Sequence, residues 1–452
     1  MNIFRNFQTD KYILKLALPA IAGLSAQMVV SLVDTAMVGR LPDAQYSLAA
    51  MGLGVLATWA IISFFSSLAT GTHVLIARSY GEKDYDKCGD VLNTSIIIGV
   101  LLGIFVALTV VLNAYSIADF FAADDKVGIY AGDYLHYRFM GIPFFLITVS
   151  YRGFFFGIGK TKIFMISGIL VNFLNIIFNY IFIFGAFGIE GMGLAGAGFG
   201  STLATICDAL FYFVVSIFPH YRKTYNYFRH FGFYKDIAKK IFKISLPVSF
   251  QNVFILVGFL SFVAITGLIG TKEQAASQLV ITALMMSFLP VNGFGIAIQT
   301  LMGNSLGEKN IVKAKNFGYS TSKLATYYTV FVGLIFTLGP RLILILTTND
   351  QSVIETAVPA LRIAGFGQIF YGIGIVLANG LQSAGKTFFV MMTEVIINWV
   401  IFVPLAYLMG VVLKIGLYGA WAALPFYVIL YSLVIFLKFR YDKMEEFRPA
   451  DN

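Results

Sequence analysis

The sequence predicts an all-α polytopic membrane protein, with twelve transmembrane helices in two pseudo-symmetric six-helix bundles. Three observations carry this reading. Of 452 residues, 58% are hydrophobic and only 12% charged, with a mean hydropathy of +0.81; a soluble domain carries about 25% charged residues. The apolar residues come in runs long enough to cross about 30 Å of hydrocarbon as helices. The runs after the middle of the chain repeat, in order, landmarks of the runs before it. This composition excludes a soluble enzyme, a nucleic-acid reader and a disordered scaffold, so no nucleic-acid partner is expected and the lipid bilayer is the first partner. Cys88 and Cys207 support neither a disulfide framework nor a metal site.

The twelve runs lie at about 12–38, 51–77, 93–118, 136–157, 163–187, 194–218, 242–268, 280–303, 318–345, 358–381, 388–411 and 415–437. None alternates as an outer-membrane strand would. The N-terminal MNIFRNFQTDK lacks a cleavable signal pattern, so the first run is expected to remain as span one.

Orientation follows from the basic residues. With the N-terminus inside, the inner loops hold Arg78, Lys83, Lys87, Lys160, Lys162, Lys309, Lys313, Lys315 and Lys386. The basic stretch 219–243, with Arg222, Lys223 and Arg229, also falls inside, and the tail adds Lys438, Arg440, Lys443 and Arg448. The outer loops hold fewer cations and the acidic cluster Asp119, Asp124, Asp125 and Asp133. Both termini are therefore expected in the cytoplasm.

Three segments follow: an N-terminal six-helix bundle over 1–218, a cytoplasmic basic linker over 219–241, and a C-terminal six-helix bundle with a short tail over 242–452. The halves match at an offset of 226–228 at most landmarks. Leu18-Pro19 answers Leu246-Pro247, and Gly81-Glu82-Lys83 answers Gly307-Glu308-Lys309. Gly159-Lys160-Thr161 answers Gly385-Lys386-Thr387, and Gly193-Leu194 answers Gly416-Leu417. Each half has an even number of spans, so the repeats run parallel, with a cavity expected between them as in alternating-access transporters. No selectivity-filter motif marks a channel, and no HExxH or DDxxD marks a membrane enzyme. His73, His136, His220 and His230 are scattered without ligand spacing.

Charges within the membrane each need an explanation. Asp34 sits in VVSLVDTAMVGRL, about four residues before the outer end of span one, with no Lys or Arg one helical turn away. At the same depth span five carries Asn172, Asn175 and Asn179 on one helical face, and span six begins with Ser201 and Thr202 in its outer half. An acid, amides and hydroxyls converging there make a site for H⁺ or Na⁺. Oxygen ligands suit a hard cation, and a carboxylate withdrawn from water is stabilised by gaining a proton. Arg152 and Asp208 share a depth in the first bundle and are expected to pair. Lys323 and Glu394, a few turns in from the cytoplasmic side, are expected to pair likewise, and the rival reading makes Asp208 a second coupling acid. The 14 Met, 45 Phe and 24 Tyr include, by expectation, a subset that receives bulky apolar cations.

These residues together resemble the multidrug and toxic compound extrusion (MATE) family along essentially the whole chain. The resemblance rests on LALPAIAGLSAQMVVSLVDTAMVGRL, on GTHVLIARSYGEKD with its repeat GIAIQTLMGNSLGEKN, and on FFFGIGKTK with its repeat GLQSAGKTF. The first-span acid, the Asn-bearing fifth span and Phe262 at the seventh-span position answering Asp34 look more like the DinF-like branch than the NorM-like one. The resemblance implies a V-shaped pair of lobes and efflux of amphipathic, often cationic small molecules driven by inward H⁺ or Na⁺, with no organic cofactor and a monomer as the working unit. It implies that Asp34 is the first-span coupling carboxylate, that Pro19 is the proline where span one bends, and that Asn175 is the fifth-span Asn. Asn179 stands where many members carry Asp, so one acid remains at the site, which favours one-proton coupling over Na⁺ held at Asp34. A lipid-linked oligosaccharide flippase of the same superfamily is the main alternative and an intramembrane enzyme a remote one. A flippase is expected to offer cations for pyrophosphate, and here Arg152 and Lys323 are the candidates.

Overall fold

The computed structural model describes residues 7–227, 231–348 and 350–444. Arg229, His230 and Arg448, counted above in the linker and tail, lie outside the described residues. Among those described the chain is helical, with one isolated bridge, Ala186 to Ile189, in place of any strand.

The first half comprises α1 (Phe7–Val38), α2 (Ala44–Ser66), α3 (Leu68–Gly81), α4 (Tyr85–Phe121), α5 (Asp125–Phe139), α6 (Ile142–Gly157), α7 (Thr161–Phe184) and α8 (Leu194–Ser216). A short helix, α9 (Pro219–Tyr225), leads into the second half. That half comprises α10 (Lys235–Ile269), α11 (Thr271–Gly307), α12 (Ile311–Leu338), α13 (Pro340–Leu344) and α14 (Gln351–Ser383). It ends with α15 (Thr387–Ile396), a π-helical segment Ile397–Phe402, α16 (Val403–Tyr407), a second π-helical segment Leu408–Val412, and α17 (Leu417–Tyr441).

Among the described residues, ten helices or continuous helix runs are long and apolar enough to span a membrane, and the bent pair α5–α6, with a 49° break, makes an eleventh. The ninth run of the sequence reading is α12, which at 28 residues is long enough but is made more polar by Lys313, Lys315, Lys323 and its Ser, Thr and Tyr residues. The α5–α6 break falls at Met140-Gly141, where Pro143 supplies no backbone N–H to continue the ladder.

The duplication is visible in backbone detail. Lys83 and Lys309 both adopt positive φ, at 62° and 59°, just beyond α3 and α11. Asp84 and Asn310 then cap the next helices by accepting from the N–H of Lys87 and Lys313, at 3.1 and 2.9 Å. Lys87 also pairs with Glu82 at 3.2 Å, and Lys313 with Glu308 at 2.7 Å. Gly159 and Gly385 turn with φ of 72° and 80°, a conformation that glycine enters without steric cost.

The chain divides into two compact units, one of Met1–Ile21 with Phe250–Asn452 and the other of Ala22–Ser249. These units differ from the sequence halves. The divisions cut α1 and α10, in each case two residues after the internal prolines Pro19 and Pro247. The linker belongs to the second of these units and is partly packed: Tyr225 and Tyr227 are buried, and Asn93 Nδ2 donates to the Tyr227 carbonyl at 2.6 Å.

Candidate functional site

The site residues sit on four helices of the Ala22–Ser249 unit. Asn175 and Asn179, four residues apart, present both amides to one face of α7. Small residues on α8 let it approach that face closely. A Cβ on Gly196 would run into the Phe182 carbonyl, and one on Gly200 into the Asn179 side chain.

The result is a hydrogen-bonded chain of four side chains. Asn179 Nδ2 donates to Asp34 Oδ1 at 2.8 Å. The same nitrogen also donates to Asn175 Oδ1 at 3.2 Å, and Asn175 Nδ2 donates to Ser201 Oγ at 3.2 Å. Asn175 and Asn179 are buried, while Asp34 and Ser201 are half-buried. Asn179 Oδ1 is buried with no hydrogen-bond partner. It packs against Gly200 of α8, and amide and carboxylate oxygens are ligands of the kind a small hard cation takes.

A fifth residue joins the site that the sequence reading missed. The Arg138 guanidinium, near the end of α5, acts electrostatically on Asp34 and on the buried Tyr134. Arg138 Nη1 is buried without a hydrogen-bond partner. The available signal was depth: Arg138 lies two residues into the fourth run, close to the end that Asp34 occupies on the first.

Two predicted members are placed differently. Thr202 turns away from the amides and donates to the carbonyls of Tyr137 and Arg138, at 2.7 and 3.2 Å. The Tyr137 carbonyl is left short of a donor where α5 ends, since the Gly141 N–H turns to the Arg138 carbonyl, so the hydroxyl caps the break. Asn172 shares the helical face but its Nδ2 is buried with no partner, so it stays outside the chain of hydrogen bonds.

Arg152 and Asp208 form a buried ion pair at 3.0 Å, and Asp208 also accepts a short hydrogen bond from Ser167. Lys323 and Glu394 do not pair. Lys323 Nζ lies 3.0 Å from Asp10 Oδ2 on the first turn of α1, and Glu394 instead accepts a short hydrogen bond from Tyr427. The reason is reach: Asp10 precedes the first apolar run, where no partner was sought, and it meets α12 within one unit. Pro19 lies inside α1. Phe262, at the position answering Asp34, is buried between the rings of Phe402 and Trp421, with centroids at 5.2 and 5.0 Å. Among the described residues, no three His, Cys, Asp or Glu side chains come together as a metal-binding group.

Comparison with known proteins accounts for both halves at once. The MatE family model matches residues 19–181 and again 247–408, one match in each half of the duplication. A probable multidrug resistance protein NorM of Thermotoga maritima is 27% identical over 98% of this chain and 97% of its own length. A like-named protein of Mannheimia succiniciproducens is 25% identical over 96% of this chain and 94% of its own. Among solved structures, a MOP superfamily transporter from Pyrococcus furiosus superposes with a TM-score of 0.88 at 23% identity, covering 97% of this chain and 96% of that one. An outward-facing MATE family transporter does so with a TM-score of 0.88 at 24% identity, covering 96% and 95%. The chain therefore belongs to the MatE family, whose members are membrane transporters and not enzymes.

Proposed function

We propose that this protein is a secondary multidrug transporter of the bacterial cytoplasmic membrane, working as a monomer with both termini inside. It exports amphipathic, often cationic compounds by alternating access, in exchange for inward H⁺ rather than Na⁺. The relatives named for multidrug resistance support the efflux reading. The polar site in the first half, answered in the second by Phe262, supports placing the chain in the DinF-like branch.

The observation that carries the proposal is the chain Asp34–Asn179–Asn175–Ser201, with its one carboxylate and one unpaired amide oxygen. A single acid exchanges a single charge, and a proton needs no coordination shell, whereas Na⁺ would need further oxygen ligands. Asp34 takes up a proton from outside. Neutralised, it no longer holds the Asn179 amide as a charged acceptor would, and α1 bends near Pro19, where a backbone hydrogen bond is missing. Substrate leaves outward, the proton leaves inward, and substrate binds again. Coupling requires only that proton and substrate favour different states or compete for one site.

The two cations considered for the flippase alternative are engaged, Arg152 by Asp208 and Lys323 by Asp10, which favours the efflux reading. The test is efflux of an ethidium-type dye from everted membrane vesicles under an imposed pH gradient, then under a Na⁺ gradient. A response to the pH gradient alone supports the proposal. A response to Na⁺ alone replaces the ion, and a response to neither overturns antiport.

A further inference from the structure

Glu394 is a buried acid that the scheme above leaves without a role. It lies on α15, in the unit of Met1–Ile21 with Phe250–Asn452, and is 1% exposed. Among the described residues no Lys, Arg or His nitrogen approaches it within 4.0 Å, and the nearest candidate by depth, Lys323, is taken by Asp10. The titratable groups that face it from the packed elements are phenols: Tyr371 on α14, and Tyr427 and Tyr431 on α17. Lys438, also on α17, is engaged at 2.9 Å by Asp442. The Asn398 side chain completes the surroundings, backed by Gly258 of α10, where a Cβ would collide with it.

A bare carboxylate in such a place is strongly disfavoured unless a cation or enough donors compensate it. Tyr427 donates one short hydrogen bond to Oε1. Two further polar atoms of the cluster, Asn398 Oδ1 and the Tyr431 hydroxyl, have no hydrogen-bond partner although their residues are only 5% and 3% exposed. Both atoms can accept. The Tyr431 hydroxyl also carries a hydrogen of its own and interacts with the carboxylate, so what the cluster lacks is a compensating positive charge, which a proton on Glu394 would supply. The π-helical segment Ile397–Phe402 begins three residues later and contains Asn398. Such segments inside α-helices occur where a local interaction holds the backbone off its preferred register, frequently at functional sites.

We infer that Glu394, Tyr427, Tyr431 and Asn398 form a second proton-binding site, in the C-terminal half, separate from Asp34 and adjoining the π-helical turn of the eleventh span. The step is a simple protonation: a proton from water binds a Glu394 carboxylate oxygen, and no other bond is made or broken.

The test is pH-difference infrared spectroscopy on the purified full-length protein, reading the carboxylic C=O stretch. The Asp34→Asn variant should keep a titrating C=O band that the Glu394→Gln variant loses. An unchanged difference spectrum in Glu394→Gln would overturn the inference and leave the Asp34 proposal untouched. Added Na⁺, against choline at constant pH, should leave the band in place; its loss would make this a Na⁺ site and overturn the proton assignment. Should Glu394→Gln fold poorly, Tyr427→Phe keeps the acid but removes its hydrogen bond, and the band must then move in frequency. A band that stays put contradicts the inference.

Discussion

The Asn179 amide nitrogen bridges Asp34 Oδ1 at 2.8 Å and Asn175 Oδ1 at 3.2 Å, tying a first-span carboxylate to the amide face of α7. One amide thus links the acid, through Asn175, to Ser201 on α8. Replacing Asn179 with Asp puts two carboxylates side by side. Like charges there favour a bound cation, so Asn179→Asp should confer Na⁺-stimulated dye efflux on a protein for which we propose coupling to H⁺. Efflux from vesicles with and without Na⁺ checks this.

Arg138 brings a positive charge to the neighbourhood of Asp34. Arg138→Gln removes that charge and should change the pH profile of efflux. A profile identical to the wild type's would show that the guanidinium has no influence on the carboxylate.

Ser201 and Thr202 are neighbours with different tasks. Ser201→Ala removes the end of the hydrogen-bonded chain, and should change the pH dependence of efflux with little loss of stability. Thr202→Val removes the cap on the α5 break, and should cost about 1 kcal/mol of stability with the pH dependence retained. Thermal unfolding in detergent beside vesicle efflux separates the two.

The Arg152–Asp208 pair is buried, with side chains 18% and 5% exposed. Breaking such a pair leaves an uncompensated charge and costs about 3–5 kcal/mol. Asp208→Asn should lower the melting temperature markedly while the inserted fraction still transports. Loss of coupling at normal stability would make Asp208 a second coupling acid instead.

Much of this arrangement was legible in the sequence, for physical reasons that differ by residue. The spans were legible because hydrocarbon demands long apolar runs, and the halves because Gly81-Glu82-Lys83 and Gly307-Glu308-Lys309 build the same cap. Asn175 and Asn179 were legible because the helical repeat alone places them on one face. Arg138 was not: its relation to Asp34 depends on how α5 packs, and one-dimensional spacing carries no such information. The engagement of Lys323 with Asp10 was hidden for the same reason, since matching depths across spans leaves the partner open. Thr202 was misassigned because its neighbour Ser201 lies at nearly the same height, and the 49° break that claims its hydroxyl leaves no periodic signal.

The central claim is that one carboxyl group, Asp34, carries the coupling proton. It is tested most directly by proton movement in proteoliposomes of purified protein when an ethidium-type substrate is added. The wild type should release protons in exchange for substrate, and Asp34→Asn, inserted in equal amount, should show neither proton release nor uphill efflux. Asp34→Asn moving substrate and protons at the wild-type rate would contradict the account.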